Sequence, residues 1–173
     1  DAGPAYRERN AGDDVVVPVL RAAGVRRLDR LVLSHDDLDH AGGVTAVLQA
    51  YPEALLLGSE LSRQRHPHRQ AGRTGDAWEW DGVRFRMLGP VPGLGLSGND
   101  ESCVLHIEGS GGSVLLPGDI EHRGELVLGF RELLAPVDLV LAPHHGSRSS
   151  SSPSFVEALR PRYVVFSTGY LNR

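Results

Sequence analysis

The chain contains no lysine, and all 18 of its basic residues are arginine, a bias that points to a GC-rich coding sequence rather than to any chemistry. It has a single cysteine, Cys103, which excludes an intramolecular disulfide and any all-cysteine zinc site. A metal here must be held by histidines and carboxylates. No run approaches the roughly 20 apolar residues that a membrane-spanning helix needs, and the start Asp1-Ala2-Gly3-Pro4 does not read as a signal peptide. The sequence as it stands therefore reads as soluble. There is no excess of positive charge either: the net charge of -4 argues against a general nucleic-acid binder. The local exception is a stretch carrying Arg63, Arg65, Arg69 and Arg73, with His66 and His68, against Glu60 alone.

What is present fits one globular domain, since 173 residues with 40% hydrophobic content can bury most of their apolar surface. Val15 to Ala23 reads as a helix capped by Asp13 or Asp14, with Pro18 in its first turn and Gly24 as its stop. Leu28 to Leu33 is strand-like and delivers the chain to His35; Gly42-Gly43 then leads into a helix from Val44 to Tyr51. Ala54 to Leu57 reads as a strand, followed by a polar helical stretch from Ser59 that carries the arginines. Trp78 to Trp80 and Val83 to Leu88 flank Asp81-Gly82, a strong hairpin signal, and Cys103 to Ile107 with Val114 to Leu116 form a second antiparallel pair. A helix from Glu121 to Leu134, a strand from Val137 to Leu141, a helix from Pro153 to Leu159 capped from the tract Ser149 to Ser152, and a strand from Tyr163 to Ser167 complete the expected order. Polar clusters follow three of the strands, at His35, Asp119 and His144, as expected of a layered α/β sandwich with its chemistry beyond strand ends.

The most informative spacing is His35, Asp37, Asp39, His40. In a strand His40 would face away from the other three, and in a helix the four would spread around the cylinder, so a tight loop is needed to turn all of them inward. Imidazole with carboxylate oxygen suits Zn²⁺, Mn²⁺ or Fe²⁺, and the large oxygen share favours the harder Mn²⁺. Asp119 stands where a strand gives way to a helix and reads either as a helix cap or as a carboxylate shared by two metals. Of His144 and His145, one reads as a ligand and the other as facing substrate. Ser147 beside them invites a nucleophile reading, which lacks a visible orienting triad. Trp78 and Trp80 share one strand face and read as packing first and as base-stacking platforms second.

The run Ser34-His35-Asp36-Asp37-Leu38-Asp39-His40-Ala41-Gly42-Gly43 resembles the metal-binding loop of the metallo-β-lactamase superfamily, with Asp37 where most members carry a second histidine. Asn99-Asp100-Glu101-Ser102, Leu115-Leu116-Pro117-Gly118-Asp119 and Pro143-His144-His145-Gly146-Ser147 follow in the order of one branch, the hydrolase domain of ComEC-type DNA-internalisation proteins. The resemblance covers nearly the whole chain. It implies an αββα sandwich lacking its first strands and its C-terminal end, the latter just after Gly169-Tyr170-Leu171-Asn172, and a domain spanning residues 1–173 of a longer, membrane-anchored protein. It also implies a two-metal site and a nuclease that degrades one DNA strand while the other is taken up, on the outer face of the cytoplasmic membrane. Single-stranded DNA would be the substrate and the membrane channel of the same polypeptide the partner, with the isolated domain monomeric. The family's third-motif histidine is absent, and Asn99 stands near its place.

On this reading His35 and Asp37 hold one divalent ion, Asp39, His40 and His145 hold the other, and Asp119 bridges them. His144 contacts the phosphate or the leaving oxygen, Asp1 orients a ligand imidazole through its other ring nitrogen, and Arg63, Arg65, Arg69 and Arg73 guide the polyanion. Two other readings are a hydrolase of a small ester or phosphodiester on the same fold, and a non-catalytic DNA-guiding module.

Overall fold

The computed structural model describes residues 1–168, so the expectation placed on Gly169-Tyr170-Leu171-Asn172 lies outside the described residues. The chain divides into two compact units, 1–71 and 72–173.

The first unit opens with a two-residue hairpin, β1 (Ala5–Tyr6) and β2 (Arg9–Asn10), then a π-helical turn, Gly12–Val16, that runs into α1 (Val17–Ala22). The helix thus begins earlier than its apolar periodicity suggests. Its cap is Asn10, whose Oδ1 accepts the Asp13 N–H at 2.9 Å, rather than Asp13 or Asp14. β3 (Arg30–Val32), α2 (Leu38–Ala41), α3 (Val44–Ala50), β4 (Leu55–Gly58) and β5 (Arg69–Ala71) follow, with β3, β4 and β5 forming a parallel sheet in that order. Leu31, Leu33, Val44, Val47 and Leu56 pack into one apolar core against Val17.

The polar segment after β4 is not the expected helix. Asp36 accepts the Ser62 hydroxyl at 2.8 Å and also the Arg63 backbone N–H, which pins the chain in a turn. Pro67 then bars His66 from helical geometry. The chain continues extended, and Arg69–Ala71 pairs with Leu56–Gly58 through its backbone, which no apolar alternation announces.

In the second unit β6 (Ala77–Trp80), β7 (Val83–Gly89), β8 (Val104–Gly109) and β9 (Gly112–Leu116) form the expected antiparallel meander. Trp80 pairs with Val83 across Asp81-Gly82, whose φ angles of 50° and 78° make the left-handed two-residue turn that the Asp-Gly pair favours. α4 (His122–Phe130), β10 (Leu139–Leu141), α5 (Pro153–Leu159) and β11 (Tyr163–Val165) complete the unit, with β10 parallel to both β9 and β11. α4 stops at Phe130, short of the expected Leu134, because Glu132 turns to φ 55° and Leu133 N–H closes back on the Leu128 carbonyl. Ser152 caps α5 by accepting the Phe155 N–H, and the buried Glu125 accepts the Ser152 N–H at 2.9 Å. The core holds Leu88, Val104, Leu115, Ile120, Leu128 and Phe155.

Candidate metal centre

In the first unit, β3 ends at Val32, and Leu33 N–H still pairs with the Leu57 carbonyl before the chain turns at Ser34. His35 is buried; Asp37, exposed, is the last extended residue; Asp39 and His40 lie on the single-turn helix α2. The four polar residues are therefore split between a loop and one helical turn, instead of sharing a loop throughout. The two imidazoles sit with ring centroids 4.3 Å apart. His35 Nε2 is 3.6 Å from Asp37 Oδ2, and His40 Nε2 is 3.9 Å from Asp39 Oδ2. Asp36 points elsewhere, into the Ser62 and Arg63 contacts.

The opposite ring edges are fixed by Asp1 and Ser34. The Asp1 carboxylate accepts the Ser34 backbone N–H at 2.7 Å and the Ser34 hydroxyl at 3.0 Å, and its Oδ2 lies 2.9 Å from His40 Nδ1. Ser34 Oγ lies 3.0 Å from His35 Nδ1 and 3.2 Å from His40 Nδ1. Because the hydroxyl gives its one proton to Asp1, it can only accept from the rings, so both Nδ1 atoms carry hydrogen and both Nε2 atoms carry the lone pair. Asp1 is held in turn by the Gly42-Gly43 pair. Gly43 N–H donates to the Gly3 carbonyl, Ala2 N–H donates to the His40 carbonyl, and a Cβ on Gly43 would lie 2.3 Å from the Ala2 oxygen. Those glycines admit a backbone, which is a stricter reason for them than helix initiation.

In the second unit, Asp119 is buried just beyond β9 and its N–H donates to Ser102 Oγ at 3.1 Å. It does not cap α4; Asp100 Oδ1 takes the Glu121 and Gly124 N–H groups, both at 2.8 Å. His145 Nε2 lies 3.6 Å from Asp119 Oδ2, while its Nδ1 donates to the Ser167 carbonyl at 2.9 Å. A carbonyl can only accept, so the lone pair of His145 is again on Nε2. His144 has a different environment: its Nδ1 is 3.0 Å from Glu121 Oε1 and 3.2 Å from Ser149 Oγ. Both histidines hold left-handed backbone, φ 47° and 53°, a costly conformation for residues with side chains. This strain divides the adjacent rings between Asp119 and Glu121.

Glu121 collects the Ser149 hydroxyl at 2.8 Å, the Asn99 side-chain amide at 3.4 Å and His144, and the Ser149 hydrogen bond, then those from Asn99 and His144, hold its carboxyl below the ordinary range. Asn99 thus braces Glu121. The Ser147 hydroxyl meets Ser149 Oγ at 3.0 Å rather than an imidazole. Sequence reasoning places Asp100, Glu121 and Ser149 in a motif, a helix start and a capping tract but assigns them no part in the site, and the only signal for Glu121 was its place two residues after Asp119 on the same strand-to-helix loop.

The arginines do not share one element. Arg63 and Arg65 are exposed, whereas Arg69 turns its guanidinium to the carbonyls of Ser59 at 2.7 Å and Ser62 at 3.3 Å. Arg73 belongs to the second unit, where its N–H donates to Asp76. Trp78 stacks on Phe85 with ring centroids 5.1 Å apart and Trp80 meets the same ring edge-on, so both indoles pack against the hairpin.

Donor chemistry in both units suits a divalent ion: Asp39 and His40 in the first, Asp119 and His145 in the second, each offer a ring nitrogen and a carboxylate oxygen. The chain belongs to the metallo-beta-lactamase superfamily, whose family model matches residues 1–170. Its relatives within that superfamily include ComEC-type competence proteins. The chain is 42% identical over 159 residues to competence protein ComA of Neisseria gonorrhoeae, covering 91% of this chain and 22% of that protein. It is 33% identical over 172 residues to recombination protein 2 of Haemophilus influenzae, covering 99% and 21%. It therefore spans about a fifth of the length of these relatives. Among solved structures, a mutant metallo-beta-lactamase from Cronobacter sakazakii aligns with TM-score 0.53 at 20% identity, over 84% of this chain and 68% of that one, which is a likeness of fold. Among the described residues no helix is long and apolar enough to cross a membrane.

Proposed function

We propose that the chain is the hydrolytic domain of a DNA-uptake protein and cuts DNA phosphodiester bonds with two divalent ions, degrading one strand while the other enters. The observation that supports this most is the shared polarity of three imidazoles. His35, His40 and His145 each commit Nδ1–H to an oxygen acceptor and direct Nε2 toward a carboxylate, as metal-binding histidines do. His35 and Asp37 would hold one ion, Asp39, His40 and His145 the other, with Asp119 shared. When bound, the ions would supply a nucleophile from water at neutral pH and neutralise charge on the scissile phosphate. His144, steadied by Glu121 and Ser149, would contact the phosphate or the leaving oxygen.

The competence relatives support a DNA-uptake role; on this reading DNA is the substrate, a channel region of the same polypeptide is the partner, and the domain works on the outer face of the cytoplasmic membrane. The oxygen-rich donor set supports Mn²⁺ at least as well as Zn²⁺. The test is to strip the full chain of metal, reload it with Mn²⁺ or Zn²⁺, and offer labelled single-stranded DNA beside a small ester and a small phosphodiester. DNA cleavage that depends on metal is expected. Turnover of the small substrates alone would replace the nuclease by a small-molecule hydrolase, and salt-sensitive DNA binding without metal uptake would leave a guiding module.

A further inference from the structure

The first unit carries a second arginine cluster, distinct from the one at residues 63–73. Arg21, Arg26, Arg27 and Arg30 fall within ten residues that contain one acid, Asp29, and Asp29 is taken by Arg27. Arg21 and Arg26 are exposed, and neither guanidinium has a hydrogen-bond or ion-pair partner among the described residues. These two flank an open cleft of about 400 Å³ whose remaining lining is Gly24, Val25, Ala50 and Tyr51. Gly24, at φ 76°, presents no side chain, and the Tyr51 hydroxyl is already spent on the Val25 carbonyl at 3.1 Å. The cleft therefore offers two forked cations at its rim, over the apolar side chains of Val25 and Ala50 and the ring of Tyr51. That pairing suits a phosphate carrying a sugar or base: guanidinium forks match phosphate oxygens, and the apolar wall accepts the attached ring.

We infer that the Arg21–Arg26 cleft is a remote binding site for the phosphodiester backbone of single-stranded DNA. The inference rests on the nuclease reading above and deepens it by naming where the polymer is held away from the cut. The cleft lies before β3 and the metal-binding loop lies after it. Nine residues separate Arg26 from His35, at most about 30 Å of extended chain. The cleft and the loop lie at opposite ends of β3, so a long strand can occupy both while a small phosphodiester at the loop is held by the loop alone. The cleft raises affinity for long substrates and leaves the chemistry of short ones unchanged.

The experiment compares the full chain with its Arg21→Ala/Arg26→Ala variant, whose exposed substitutions leave the core intact, by fluorescence anisotropy on a labelled long oligonucleotide in chelator, across a salt series. The same two proteins are then assayed on a tetranucleotide. Loss of two phosphate contacts should reduce the salt slope of log K by about 1.4, at about 0.7 per contact for single strands, and weaken long-strand binding on the order of tenfold while tetranucleotide hydrolysis holds. An Arg21→Lys/Arg26→Lys variant should recover most of the slope. Equal binding by wild type and the Ala variant overturns the cleft alone. Failure of the wild type to bind DNA in chelator likewise overturns the cleft, and failure of the metal-loaded wild type to cut the tetranucleotide overturns the nuclease reading on which the cleft rests. Loss of binding to anionic phospholipid vesicles with DNA binding intact would overturn it in favour of a membrane contact.

Discussion

Oδ2 of Asp1 lies 2.9 Å from Nδ1 of His40, and the same carboxylate accepts both hydrogens of Ser34, backbone and hydroxyl. One residue 39 positions away in sequence thus sets the tautomer and tilt of a candidate ligand ring directly, and of His35 through Ser34. Removing such an oriented carboxylate typically costs about 10–100-fold in metal affinity. Asp1→Ala should show that loss by calorimetric metal titration, with the secondary structure retained by circular dichroism. Unchanged affinity would mean that Asp1 only holds the loop.

The two adjacent histidines should separate by readout. His145→Ala should lower bound metal, because its Nε2 faces Asp119 at 3.6 Å. His144→Ala should keep the metal content of wild type and lose about 10²–10⁴-fold in turnover on DNA, the usual range for a group that assists proton transfer. Elemental analysis beside initial rates distinguishes the two. Equal metal loss in both variants would contradict the division made by the Glu121 and Asp119 contacts.

Gly43→Ala should destabilise the fold by at least about 2 kcal/mol, as overpacking against rigid backbone does. The added Cβ would lie 2.3 Å from the Ala2 oxygen and 2.4 Å from the Gly12 nitrogen, and neither is the end of a flexible side chain. Chemical denaturation measures it, and the segment carrying Asp1 should be dislodged first.

Asp138 gives a pH dependence of known sign. The Ser113 backbone N–H, at 2.8 Å, is the first cause holding its carboxyl below the ordinary value of 3.8, helped by the Ser113 hydroxyl and Arg162 at 3.6 Å. A depressed carboxylate contributes stability that is complete above the unfolded value and fades as pH falls through the folded one. Asp138→Asn should therefore flatten the decline in stability below about pH 4, followed by thermal melts across an acid series. An unchanged acid profile would show that Ser113 and Arg162 do not stabilise the ionised form.

The parts of the fold written as apolar pattern were readable. The Asp81-Gly82 hairpin, the β7–β8–β9 meander and the strands leading to His35 and Asp119 follow from alternation and turn chemistry. β5 was hidden because Arg69-Gln70-Ala71 pairs through backbone alone, and Pro67 with the Asp36 contacts undid the helix that polar periodicity suggested. Within the candidate site, the close grouping of two imidazoles and two carboxylates from His35 to His40 was legible from the spacing alone. The supports were not. Glu121 binds His144, Asn99 and Ser149 from across the second unit, and such convergence exists only after β9, β10 and the strained turn at His144-His145 are in place.

The central claim, a nuclease with Asp119 shared by two ions, is tested most directly by the rate of single-stranded DNA hydrolysis in Asp119→Asn, measured on protein that melts like wild type. The Asp119 N–H bond to Ser102 survives this change, so the fold should persist while the charge facing His145 is gone. The account predicts that metal-dependent cleavage falls to background together with bound metal. A folded Asp119→Asn protein that cuts DNA at nearly the wild-type rate would contradict it.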